Sequence, residues 1–159
     1  ILPKVAKKLG DKYHFLVIGA GSNSQKLINA IKNESIKNIK ILLPVKREKL
    51  IEYYISADIL FLHLNNIPAY KRVLPSKIFE YTALSKPIVA GLSGYSAQFM
   101  ADNVPNSIVF APGDVEGCVD ALRKIEKLDV KKEVSDVFVK KYSREKIMNR
   151  MADHIFSVL

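Results

Sequence analysis

Cysteine is nearly absent from these 159 residues: Cys118 stands alone. A lone thiol excludes a disulfide framework and a thiolate metal cluster, and a reducing cytoplasm is the expected setting. Tryptophan is missing altogether. Long apolar runs are missing too. Ile59-Leu60-Phe61-Leu62 reads as a buried strand at most, far short of the roughly 20 residues that span a bilayer. Acidic residues are scarce, 16 against 25 lysines and arginines, for a net charge of +9. That surplus favours anionic partners such as nucleotides, nucleic acid or an acidic membrane surface. Ordinary solvated lysine faces explain it equally well. The lysines are scattered and the aromatics fall in apolar runs, so no nucleic-acid module is expected. His14 and His154 lack partners at metal-ligand spacing, and no metal site is expected. No serine sits in a nucleophile elbow. Ile1-Leu2-Pro3 leads straight into a lysine-rich helical pattern, without a secretory signal and without an initiating methionine. The sequence is therefore expected to be a piece of a longer protein.

What is present is a regular alternation. With 48% hydrophobic and 26% charged residues, the composition is that of a globular domain with a real core. Apolar runs predict strands at 14–18, 39–43, 58–64, 87–91 and 107–110. Helical patterns are expected at 2–10, 23–33, 47–55, 95–102, 115–127 and about 143–158, with a loop at 65–73 followed by a helix that Pro75 and Ser76 open. The charged stretch 128–142 reads as hinge-like. Apolar strands separated by helices imply a parallel sheet covered on both faces. The predicted fold class is α/β, a Rossmann-like doubly wound parallel sheet, with residues 1–159 forming one domain. Ligands of such sheets bind at the carboxyl ends of the strands.

Several short segments fall at those ends. Gly19-Ala20-Gly21 follows the first strand, where glycines let a ligand approach the backbone. The dinucleotide fingerprint wants a third glycine where this chain has Ser24, and an acid after the second strand where it has Pro44-Val45-Lys46. A nicotinamide dinucleotide is thus disfavoured, and a tight turn without a ligand fits as well as a binding loop. The backbone at Val45 can pair with the edge of a nucleobase; Lys46 and Arg47 are either ligand contacts or a solvated helix start. Tyr70-Lys71-Arg72 forms a basic loop suited to a diphosphate or an acidic sugar, or simply to solvent. Ser93-Gly94 makes a second small-residue loop, after the fourth strand.

The strongest segment is Leu74-Pro75-Ser76-Lys77-Ile78-Phe79-Glu80-Tyr81 followed by Lys86-Pro87-Ile88-Val89-Ala90. Pro75 suits the first helical position. A helix start suits a phosphate, to which Ser76 adds a hydroxyl and Lys77 a mobile charge. Glu80 lies about 6 Å further along the axis and offers two acceptors for vicinal hydroxyls. That is roughly the span from a diphosphate to the ribose of one nucleotide. The alternative is a capped helix on which Lys77 and Glu80 only pair with each other, worth little on a surface.

The order of elements resembles the C-terminal, donor-binding half of GT-B glycosyltransferases, specifically the glycosyltransferase 4-like group. The resemblance rests on Phe15-Leu16-Val17-Ile18-Gly19-Ala20-Gly21, Leu50 to Ile59, Pro75 to Tyr81, Lys86 to Ala90, Ala111-Pro112-Gly113-Asp114 and the final helix, and it covers nearly the whole chain. It implies a nucleotide-sugar donor as substrate, with no cofactor and no metal. Glu80 would take the donor ribose, Ser76 and Lys77 the phosphates, the Val45 region the base, and Ser93 and Gly94 the sugar or phosphates. Where the family often carries a further glutamate touching the sugar, this chain has Arg72. The resemblance is therefore to the branch that builds O-antigen or capsule. It also places a first strand and an acceptor-binding N-terminal domain upstream of Ile1. A lipid-linked or saccharide acceptor and peripheral contact with an anionic membrane, from the cytoplasmic side, follow as expectations. A nucleotide-sugar epimerase of GT-B fold shares these features, and a non-catalytic binding module on the same scaffold is the other alternative.

Overall fold

The computed structural model describes residues 1–131 and 133–158. Lys132, in the stretch read as hinge-like, and Leu159, the end of the predicted domain, lie outside the described residues. The chain alternates helix and strand: α1 (Leu2–Leu9), β1 (Phe15–Ile18), α2 (Ser24–Asn33), β2 (Ile39–Leu42), α3 (Arg47–Ser56), β3 (Leu60–His63), α4 (Ser76–Thr82), β4 (Ile88–Gly91), α5 (Tyr95–Asn103), β5 (Ser107–Phe110), α6 (Val115–Ile125), α7 (Val134–Tyr142) and α8 (Arg144–Val158). A short 3₁₀ turn, Pro68–Arg72, interrupts the predicted 65–73 loop. The strands form two parallel ladders, β1-β2 and β3-β4-β5. Phe15 lies opposite Ile39 in the first; Ile88 lies between Leu60 and Ser107 in the second.

Packing follows the side-chain periods. Val5, Ala6 and Leu9 are the buried residues of α1, and Val5 and Leu9 pack with Cys118, Val119, Ala121, Leu122 and Ile125 of α6. The α6 helix starts on Asp114, whose carboxylate accepts the Gly117 N–H at 2.9 Å; such a cap contributes about 1 kcal/mol. Arg123 and Lys124 complement its last turn. Burial pushes the Cys118 thiol up to about 12, so it stays protonated. On the other side of the three-stranded sheet, Leu60, Leu62, Ile88 and Ala90 pack with Ile78, Phe99 and Met100. All of β4 is buried, which is why Ile-Val-Ala-Gly carries no polar residue.

Two expectations change. His14 lies before β1 and is exposed, because the strand begins where Phe15 N–H donates to Asn38 C=O. Stretch 128–142 is largely helical rather than hinge-like. Phe138, 4% exposed, sits with Phe79, Phe99 and Tyr142 at ring separations of 4.7 to 6.3 Å, which anchors α7 to the core. Two buried asparagines tie the ends of the sheets. Asn38 donates its side-chain amide to the carbonyls of Ala6, Gly10 and Tyr13. Asn106, ahead of β5, both donates to and accepts from the Lys131 backbone, at 2.8 and 3.0 Å.

Candidate functional site

The α4 helix has one face in the core: Ile78, Tyr81 and Thr82 are buried, and the Thr82 hydroxyl donates to Ile78 C=O at 2.7 Å. Lys77 and Glu80 lie off that face with their side chains 39% and 32% exposed. Pro75 is the cap and Ser76 the first helical residue, one position later than the sequence suggests. The cause is the extended Pro75 backbone, φ −66° and ψ 134°. Ser76 is exposed, and Pro75 as the cap residue makes no side-chain capping bond.

Lys77 donates to Glu80 Oε2 at 3.0 Å, so the pair the sequence offered as an alternative does form. It is not isolated. The same ammonium donates to the Tyr54 hydroxyl at 2.7 Å and stands 5.2 Å from the centre of the Tyr54 ring. Tyr54 comes from α3, and its ring packs edge-on against Tyr81 at 5.1 Å. Burial pulls the Lys77 pKa down, but the hydrogen bonds to Tyr54 and Glu80 outweigh it, and the net shift is upward. Lys77 is therefore a fixed cation at neutral pH. Burial first, and then Tyr54, raise the Tyr81 phenol, which stays neutral.

The basic loop and the loop after β4 meet. Gly94 has φ 67°, and a Cβ there would fall 2.8 Å from Lys71 Cβ and still closer to the Lys71 carbonyl. Glycine at 94 is thus required by the neighbouring loop as well as by its own backbone. Ser93 accepts the Ser96 hydroxyl at 3.3 Å, and Arg72 is exposed at the end of its turn. Gly19, Gly21, Val45 and Lys46 lie at the ends of β1 and β2. Nothing stands within 4 Å of the space a side chain would take at Gly19 or Gly21. Gly21 N–H donates to Ser24 Oγ at 2.8 Å, closing the turn where the dinucleotide fingerprint wants glycine. Val45 is half-buried, and Lys46 is the exposed cap of α3. Among the described residues no hydrogen bond or ion pair joins these four to Lys77 and Glu80.

His63 ends β3 and forms a triangle of rings with Phe61 and Phe110, at centroid separations of 6.0 to 6.4 Å. Its Nε2 accepts the Gly113 N–H at 3.1 Å, which puts the proton on Nδ1. Burial lowers its pKa. Two surface hollows of about 320 Å³ lie elsewhere, one between the end of α5 and α7 and one around His14 and Lys37. Neither is lined by a candidate residue. No group of three or more His, Cys, Asp or Glu suited to a metal occurs among the described residues. The residue that the sequence reading missed is Tyr54. It sits in an ordinary helical pattern, and nothing local links it to Lys77.

Parallel strands with helices between them define an α/β domain of the Rossmann-like type, with the candidate residues at its strand ends. Residues 1–145 match the model of the glycosyl transferases group 1 family, and the chain belongs to that family. None of the curated proteins matches it. Among solved structures it is similar to AviGT4, a glycosyltransferase involved in avilamycin A biosynthesis, at 13% identity and a TM-score of 0.69. That likeness covers 95% of this chain and 44% of AviGT4. It is also similar to WaaG, a glycosyltransferase involved in lipopolysaccharide biosynthesis, at 20% identity and a TM-score of 0.56, over 87% of this chain and 35% of WaaG. The likeness establishes the GT-B type of fold. The chain spans less than half the length of either protein.

Proposed function

We propose that this chain is the donor-binding domain of a glycosyltransferase that moves a sugar from a nucleoside-diphosphate sugar to a saccharide or lipid-linked acceptor, the acceptor being held by another domain of the whole protein. The observation that carries the reading is the Lys77–Glu80 pair, half-buried at the strand ends of a domain whose first 145 residues match the family. The Lys77 ammonium neutralises the diphosphate that builds up charge as the anomeric bond breaks. Glu80 holds the ribose hydroxyls. Ser76, Arg72, Ser93 and Gly94 complete the phosphate and sugar contacts, while Gly19, Gly21, Val45 and Lys46 serve the base side. In this reading the cations do the work that a metal does in other transferases, and no cofactor takes part. Docking of the acceptor domain brings the attacking hydroxyl into line and excludes water.

The setting that fits is cell-surface polysaccharide synthesis of the O-antigen or capsule kind, at the cytoplasmic face of a membrane. The support is the net charge of +9 and Arg72 in place of a sugar-contacting glutamate. The contact we propose is peripheral, drawn by the basic surface to anionic headgroups; no helix among the described residues is long and apolar enough to cross a membrane. Calorimetric titration with uridine and guanosine diphosphates tests the reading. One of them binds, and Glu80→Ala weakens it about tenfold, the size of a lost hydrogen bond to a charged group. Unchanged affinity in that variant, or no binding by the unmodified chain, overturns the assignment.

A further inference from the structure

We infer that Tyr54 is a positioning residue of the nucleotide site, its hydroxyl fixing the direction in which the Lys77 ammonium meets a diphosphate; the inference rests on the donor-binding reading above. An ammonium has three protons to give. Lys77 spends one on Tyr54 Oη at 2.7 Å and one on Glu80 Oε2 at 3.0 Å. The third has no acceptor among the described residues. Glu80 likewise keeps its other oxygen, Oε1, outside the described hydrogen bonds. A diphosphate oxygen can therefore take the third proton, and a ribose hydroxyl can donate to Oε1, without the ion pair opening.

A lysine paired only with a carboxylate one turn away swings on a flexible four-carbon stem. Here the second tether comes from a different element. Tyr54 stands on α3, and its ring packs against Tyr81, a residue on the buried face of α4 and 9% exposed. The tether is as rigid as the core it leans on. Two tethers from two helices define a direction, whereas one defines only a cone. Positioning of this kind lowers the ordering cost of binding.

A purely structural role for Tyr54 predicts that its ring matters and its oxygen does not. Tyr54→Phe separates the two, since it keeps the ring against Tyr81 and under Lys77 and removes only Oη. The test compares the unmodified chain, Tyr54→Phe, Lys77→Met and the double variant. Each is titrated with uridine and guanosine diphosphates and with the corresponding nucleosides. Tyr54→Phe weakens the diphosphate about tenfold and leaves nucleoside binding and the unfolding midpoint unchanged. In the Lys77→Met background it causes no further loss, because the two act as one unit. A direct readout needs no nucleotide: the Lys77 side-chain amine, followed by NMR, titrates at lower pH in Tyr54→Phe. The inference is overturned by equal losses for diphosphate and nucleoside, by full additivity in the double variant, or by an unmoved Lys77 titration. Failure of the unmodified chain to bind any nucleoside diphosphate overturns the donor-binding reading instead, and the Lys77 titration still judges the Tyr54 contact.

Discussion

Strands β1 and β4 are each four residues of apolar chain in a parallel ladder, yet every residue of β4 is buried while Leu16 in β1 is 44% exposed. The difference lies in the neighbours. β4 has a strand on each side and helices on both faces, α6 from one core cluster and α4 and α5 from the other. β1 is paired on one edge only, with β2. An apolar run states that a strand wants burial, and the surrounding elements decide how much it obtains. The three-stranded sheet thus holds the core, and the two-stranded one is held in place from its ends, notably by Asn38. The Lys77–Tyr54 contact stands on the well-packed side, where a fixed geometry can be maintained.

One aliphatic substitution in each strand gives the sharpest contrast. Ile88→Ala costs about 2–5 kcal/mol, the range for a fully buried aliphatic residue, whereas Leu16→Ala costs about 1 kcal/mol or less. Urea denaturation monitored by circular dichroism checks both, and equal losses would break the comparison. Asn38→Ala comes next. It strips the donor from three carbonyls at the foot of β2 and costs about 1–3 kcal/mol in the same assay. A loss close to zero would mean that water replaces the amide and that the small sheet has another anchor.

The smallest effect depends on pH. Burial lowers the His63 pKa in the folded chain, so the unfolded chain binds more protons in the mildly acidic range. Stability contributed by neutral His63 is complete above the ordinary histidine pKa of about 6.5. It falls as pH drops through that value towards the lower folded pKa. Thermal midpoints measured between pH 7.5 and 5.5 should fall on acidification, and His63→Gln should flatten the slope. An unchanged slope assigns the dependence to other groups.

Most of the fold was legible in the sequence, because each element carries its own period. β5 coincides with the predicted 107–110 strand, and the helices differ from expectation mainly at their ends. The stretch 128–142 was misread because its charges are local and conspicuous. The contacts that fix it, Phe138 and Tyr142 against Phe79 and Phe99, join residues far apart in the chain. The candidate site divides in the same way. Lys77 and Glu80 could be paired from helical spacing alone. Tyr54 could not, because its bond to Lys77 exists only once α3 lies beside α4. The meeting of Gly94 with Lys71 is likewise a product of two loops brought together by the sheet.

Asn106 has a consequence beyond satisfying one buried amide. Its two bonds to the Lys131 backbone imitate a single rung of a ladder and pin the passage from α6 to α7 against the entry of β5. Phe138, on α7, is seated in the core as well. Beyond it, Ile147, Met148, Met151 and Ile155 lie exposed along α8. A surface that covered them would meet the chain next to α7, a helix the core already holds through Phe138.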